Sequence, residues 1–187
     1  MHMVIRAIVY AKTKAEALEK AKATLDQLSG DNGQPFDYYR TFDGPGTRVS
    51  GRGRYGNLTA CELVTSPNGQ ALVEEGMQAT CEEFQKNLTI IRAAVAGASD
   101  EQIREEQLPE IPEILPELRS MIRYYFNKVG EYQGSSIWLY SEEGEGIRSR
   151  AQLGDVLSMF RVLYDDQGKR NPHAEDLVWV VPADVHF

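Results

Sequence analysis

Residues 3–28 constrain the fold more than any other stretch, because they spell a buried strand followed directly by an amphipathic helix. "MVIRAIVYA" (3–11) is short and rich in β-branched residues, as suits a largely buried strand. In "TKAEALEKAKATLDQLSG", Thr13 and Glu16 stand at capping-box spacing, where each side chain satisfies a backbone donor of the other. Ala17, Leu18, Ala21, Leu25 and Leu28 then form an apolar stripe, and Gly30 supplies a stop.

Downstream, "FDYYRTF" after the turn cluster "GDNGQP" alternates well enough for a second strand, with Phe36, Tyr38 and Phe42 near one face. Gly44 to Gly56 is a loop of five glycines and one proline, read as the two ends of a mobile excursion, and "LTACELV" is a short strand. Ser66-Pro67 opens a long helix, with apolar residues at spacings of three and four from Leu72 to Val95, weakened at Gly76 and closed near Gly97. Ser99 and Gln102 start a short acidic helix of about eight residues. Pro109, Pro112 and Pro116 keep 108–115 from being helical, and "ELRSMIRYYFNKV" is the next helix. "SSIWLYS" is a strand, "SRAQLGDVLSMFRVLY" a helix, and "LVWVVPADVHF" a strand interrupted or turned at Pro182. This order predicts an α+β fold rather than strict β/α alternation. We expect one domain over 1–187, with a small mixed or antiparallel sheet of about four or five strands and a helical, proline-rich insertion at about 66–130.

The 187 residues carry a net charge of −8, which disfavours bulk binding to nucleic acid or anionic membrane. The apolar runs "AIVY", "IWLY" and "LVWVV" are far shorter than the roughly 20 residues of a membrane span. The start "MHMVIRAIVYAK" lacks the apolar region and cleavage site of a signal peptide, so a cytoplasmic protein is expected. Met1-His2 ahead of Met3 reads as a cloning remnant, and His2 carries no functional weight on that reading. Cys61 and Cys81 have no second pair for zinc or disulfides and read as reduced and structural.

"GRGRYG" (51–56) matches the G-x-G-x-x-G phosphate pattern in letters only. A scant strand precedes it, nine residues separate it from the next helix start, and Glu74 and Glu75 fall inside that helix rather than at a strand end. No kinase lysine, catalytic loop or metal-binding Asp segment accompanies it. What remains is charge contrast. Arg40, Arg48, Arg52 and Arg54 gather beside Tyr38, Tyr39 and Tyr55 in an otherwise acidic chain. Arginine forks pair with carboxylates or phosphates and aromatic rings stack, so an acidic ligand, an acidic partner face or a nucleic acid could bind there. The plainer alternative is a solvated loop whose arginines meet the chain's own carboxylates.

His173, Asp176, Asp184 and His186 hold metal-ligand chemistry, and Asp184 and His186 share one strand face, which would suit a metal-dependent hydrolase-like enzyme. Glu142, Glu143 and Glu145 in "EEGEG" could do acid–base work, but a turn normally leaves such residues solvated. The acids between Asp100 and Glu117 form a charged linker or a docking face for a basic partner. Tyr124, Tyr125, Phe126, Tyr132, Trp138 and Tyr140 supply core or interface area. No serine or cysteine has a nucleophile's setting, and histidines are few. The expectation is therefore a non-enzymatic ligand-binding or protein-interaction module, self-associating, needing no cofactor and using the loop 38–56. The metal-dependent enzyme and a nucleic-acid-binding module are the alternatives.

Overall fold

The computed structural model describes residues 1–30, 33–105, 125, 126, 129, 136–161 and 177–187. Its architecture is α+β, with a mixed five-stranded sheet and five helices among the described residues. The predicted N-terminal unit is present as β1 (His2–Tyr10) and α1 (Lys14–Leu28), with Glu16 N donating to Thr13 Oγ1 at the cap. Then follow β2 (Tyr38–Thr41), α2 (Arg52–Tyr55), β3 (Glu62–Leu63), α3 (Pro67–Gly97) and α4 (Asp100–Arg104). β4 (Leu139–Tyr140), α5 (Arg150–Arg161) and β5 (Val178–His186) complete the order.

The strand order is β2-β5-β1-β4, with β3 also paired to β5; among the described strand pairs β1–β4 is parallel and the rest are antiparallel. β5 is not interrupted at Pro182, contrary to expectation, because β1 pairs with it from end to end. On its other edge, β2 covers Ala183 to His186 and β3 covers Trp179 and Val180. Pro182 thus lies in the gap between β2 and β3, where neither short strand pairs with it. The chain from 42 to 61 leaves and rejoins the sheet around that gap.

The chain packs as two compact units, Met1–Thr80 with Ile137–Phe187, and Cys81–Ser136. In the first, one sheet face buries Met3, Ile5, Ala7 and Val9 together with Ala17, Ala21, Leu25 and Leu28 of α1. The opposite face packs Ile8, Val178 and Val180 under Leu72, Val73 and Met77 of α3 and Phe160 of α5. Gly76 is no mere weakness in α3. A Cβ there would lie 2.9 Å from Leu139 Cγ and 3.0 Å from Arg6 Cδ, so the glycine lets the helix approach the sheet closely. In the second unit, Ile90, Ile91 and Tyr125 form a small core with Val129.

Several local expectations shift. α4 spans five residues rather than about eight, although its Ser99–Gln102 capping box forms as read. Tyr38 does not join Phe36 and Phe42: those two are fully buried while Tyr38 is 46% exposed. The strand is confined to 38–41, so Phe36 and Phe42 lie beyond its alternation. Tyr39 instead packs against the α1-side core and donates its hydroxyl to Asp26. The proline-rich stretch 108–115, the helix read over 117–129 save Tyr125, Phe126 and Val129, and Tyr124 and Tyr132 lie outside the described residues.

Candidate functional site

Directly opposite residues in a sheet point to the same face, so the pairing register assigns the side chains without further assumption. One face of β1 carries His2, Val4, Arg6, Ile8 and Tyr10 in alternation. Ile8 and Tyr10 oppose Val180 and Val178, which makes the dry half under α3 and α5. The other half is polar. His2, His186 and Tyr38 form one cross-strand row, Val4, Asp184 and Arg40 the next, and Arg6 faces Pro182 beyond it.

Asp184 is the pivot of this polar half and is only 1% exposed. Its Oδ1 accepts from His2 Nδ1 at 2.9 Å, and its Oδ2 accepts from the Gly51 amide at 2.7 Å. The second bond fastens the arginine-rich loop to the sheet. His186 is held similarly, its Nδ1 donating to Asp37 Oδ2 at 2.7 Å. Tyr38 stacks on His186 with centroids 4.9 Å apart and planes 5° from parallel.

The loop from Gly44 to Gly56 is knit closed rather than an open excursion. Thr47 and Ser50 exchange backbone hydrogen bonds, and their hydroxyls meet at 2.6 Å. Gly51 has φ +58°, a left-handed conformation that favours glycine, and precedes the single turn α2. Gly46 and Gly53 let two backbone arms cross: a Cβ on Gly53 would lie 1.8 Å from the Thr47 carbonyl oxygen. Tyr55 meets Phe42 edge to face at 6.5 Å, and the Arg54 guanidinium lies 5.6 Å over the Tyr55 ring. Burial pushes the Tyr55 phenol pKa up and the Asp184 charge adds to it, while Arg54 opposes the shift. At the loop's start, hydrogen bonds from Lys22 and Thr41 hold Asp43 below the usual carboxylate range.

The Gly51 amide of the G-x-G-x-x-G match donates to the chain's own Asp184 carboxylate rather than standing free. The glycines serve loop closure.

Arg40, Arg48, Arg52 and Arg54 are all exposed. Arg40 donates to the Pro45 carbonyl at 3.3 Å. Among the described residues, no carboxylate forms an ion pair with Arg48, Arg52 or Arg54, whereas Arg6 pairs with Glu75 and Arg150 with Glu74. The plain alternative, in which the loop arginines meet the chain's own acids, therefore has no described pair behind it.

The C-terminal metal candidates are brought only partly together. Asp184 spends both oxygens on His2 and Gly51, and His186 uses Nδ1 on Asp37; His173 and Asp176 lie outside the described residues. Among the described residues, no group of three or more His, Cys, Asp or Glu side chains could hold a metal ion. Glu142 is structural: it accepts from the Tyr10 amide and pairs with Lys20. Cys61 is buried, with its thiol pKa pushed up by that burial, and Cys81 is exposed rather than structural core. No described helix is long and apolar enough to cross a membrane.

The sequence reading gave His2 no weight and did not single out Asp37, yet both join this polar cluster. The available signal was the alternation His2, Val4, Arg6, which places a histidine on the strand face opposite Met3 and Ile5.

A family model described as a domain of unknown function (DUF7995) matches residues 1–187. No curated protein and no solved structure matches the chain.

Proposed function

The chain belongs to the DUF7995 family, and from that premise we propose that it is a non-enzymatic binding module whose contact surface is the loop 38–56. Its ligand is a partner bearing several carboxylates, either an acidic protein face or an acidic small molecule. The observation that carries this reading is the set Arg48, Arg52 and Arg54. These three side chains are exposed, and no described carboxylate pairs with them, although the chain's net charge is −8. Guanidinium groups on a closed loop lose less freedom on binding than the same groups on a floppy one, so each charge-assisted hydrogen bond yields more affinity. Arg40 and the exposed Tyr38 border the same loop and extend the surface.

The test uses an oligoglutamate peptide and a single-stranded oligonucleotide of equal charge as probes. Wild-type protein should bind the peptide, and the triple variant Arg48→Ala, Arg52→Ala, Arg54→Ala should lose that binding. Its stability should stay within about 1 kcal/mol of wild type, because the three side chains are exposed and the one described contact they lose is that of Arg54 over the Tyr55 ring. Unchanged peptide affinity in the variant would remove the loop from consideration. Preference for the oligonucleotide, with affinity falling steeply with salt, would favour a nucleic-acid module instead.

A further inference from the structure

We propose that the outer edge of β2 takes up the acidic partner as an added β-strand, an extended segment in which acidic and uncharged residues alternate. The proposal rests on the reading above and gives a form to the partner that the loop arginines meet. Phe187 N donates to the Met1 carbonyl at 2.9 Å and Ala11 N to the Leu177 carbonyl at 2.9 Å. Odd-numbered residues of β5 therefore turn their backbone polar groups toward β1. Even-numbered ones turn to the opposite edge, where His186 O accepts from Asp37 N and Val178 O from Val64 N. Tyr38 and Arg40 stand opposite His186 and Asp184, so their N–H and C=O groups are directed inward to β5. Those of Tyr39 and Thr41 are directed outward. β2 ends the strand order, and among the described residues no hydrogen bond reaches the N–H or C=O of Tyr39 or the N–H of Thr41. An unpaired donor and acceptor on one edge residue are what an extended peptide needs to add a strand.

The two faces of this edge differ in charge, which sets the pattern of the added strand. Tyr38 and Arg40 share the face that the loop covers, and a Cβ on Gly51 would lie 3.0 Å from Arg40 Cδ. On that side Arg40, Arg48, Arg52 and Arg54 are exposed, and none pairs with a carboxylate among the described residues. Tyr39 and Thr41 share the opposite face with acids: Tyr39 donates its hydroxyl to Asp26 at 2.7 Å and Thr41 to Asp43 at 2.6 Å. Lys22 neutralises Asp43, whereas Asp26 has no cation partner among the described residues. Side chains alternate along a strand, so every second residue of the added segment falls on the arginine face, where a carboxylate is favoured. The residues between them face Asp26, where a carboxylate is repelled. A second copy of this chain fits the edge poorly, because β2 paired antiparallel with itself would set two arginine loops on one face.

The probes are two capped peptides of identical threonine and glutamate content, one strictly alternating and one with its glutamates in a single block. Calorimetry on the unaltered full chain should show the alternating peptide binding at least roughly tenfold tighter. An edge reads only one row of a strand's amides. N-methylation of one alternate set in the alternating peptide should therefore weaken binding at least roughly tenfold, and N-methylation of the other set far less. In the complex, amide exchange at Tyr39 should slow by at least roughly tenfold, while exchange at Tyr38 and Arg40 stays as it was. Equal affinity for the two isomers, equal effects of the two methylated sets, or unslowed exchange at Tyr39 in the saturated complex would overturn the added strand. If binding then still requires Arg48, Arg52 and Arg54, the arginine reading survives that loss. Unchanged affinity of the triple arginine variant for the alternating peptide would overturn the arginine reading and the acidic pattern with it. Absence of binding by both peptides would overturn the two readings together.

Discussion

Replacing Asp184 with alanine is expected to destabilise the unit built on the sheet by about 3 kcal/mol, because one buried and one part-buried donor are left without an acceptor. The donors are the Gly51 amide, on Oδ2 at 2.7 Å, and His2 Nδ1, on Oδ1 at 2.9 Å. Nothing else described accepts from either group, and the carboxylate is too deeply buried for water to replace it easily. For a chain of this size the loss corresponds to a melting-temperature drop of roughly 6–12 °C. Asp184→Asn should cost less. Its amide oxygen still accepts from Gly51, and its NH₂ group can face His2 once the imidazole hydrogen moves to Nε2. Hydrogen exchange at the Gly51 amide should accelerate in the alanine variant and only modestly in the asparagine one. A melting temperature within error of wild type for Asp184→Ala, with Gly51 exchange unchanged, would mean that the loop is not latched through this residue.

Gly53→Ala should be the most damaging single-methyl change in the loop. The added carbon would fall 1.8 Å from the Thr47 carbonyl oxygen and 2.5 Å from its carbon, and backbone cannot move aside as a side chain can. The crossing arms must separate, at a cost of about 1–3 kcal/mol, and α2 loses the seat that aims Arg52 and Arg54. Gly44→Ala is the control, because a Cβ there meets nothing within 4 Å, so its effect should stay within about 0.5 kcal/mol. Thermal melts of both variants, with amide exchange at Arg54, Tyr55 and Gly56, read the difference. Equal behaviour of the two variants would contradict the crossed-arm geometry.

The sequence was most informative where local physics and tertiary packing agree. The strand–helix unit over 3–28, the Ser66 cap and the end of α3 at Gly97 all follow from spacing and capping chemistry that act within one element. It was least informative where distant pairing decides. A lone "MHM" start looks like an appendage, yet nine residues of β1 pair with nine of β5, and that register brings His2 against His186 and Asp184. The loop and the C-terminal acid–histidine set read as two rival sites in the sequence. In the fold they are neighbours, because β2 pairs with the last residues of β5 and Asp184 reaches Gly51. Loop closure was equally hidden: glycine-rich spacing fits a mobile excursion as well as two backbone arms in contact, and only the arms' proximity separates them.

The arginines of the closed loop are proposed as the surface that meets an acidic partner. The most direct measurement of that contact is an amide chemical-shift map of isotopically labelled protein titrated with the oligoglutamate peptide. Saturable shifts are expected, concentrated at Arg48–Tyr55 and at Tyr38–Arg40. Shifts confined to Cys81–Ser136, or no shift in 38–56 while the peptide binds, would contradict it.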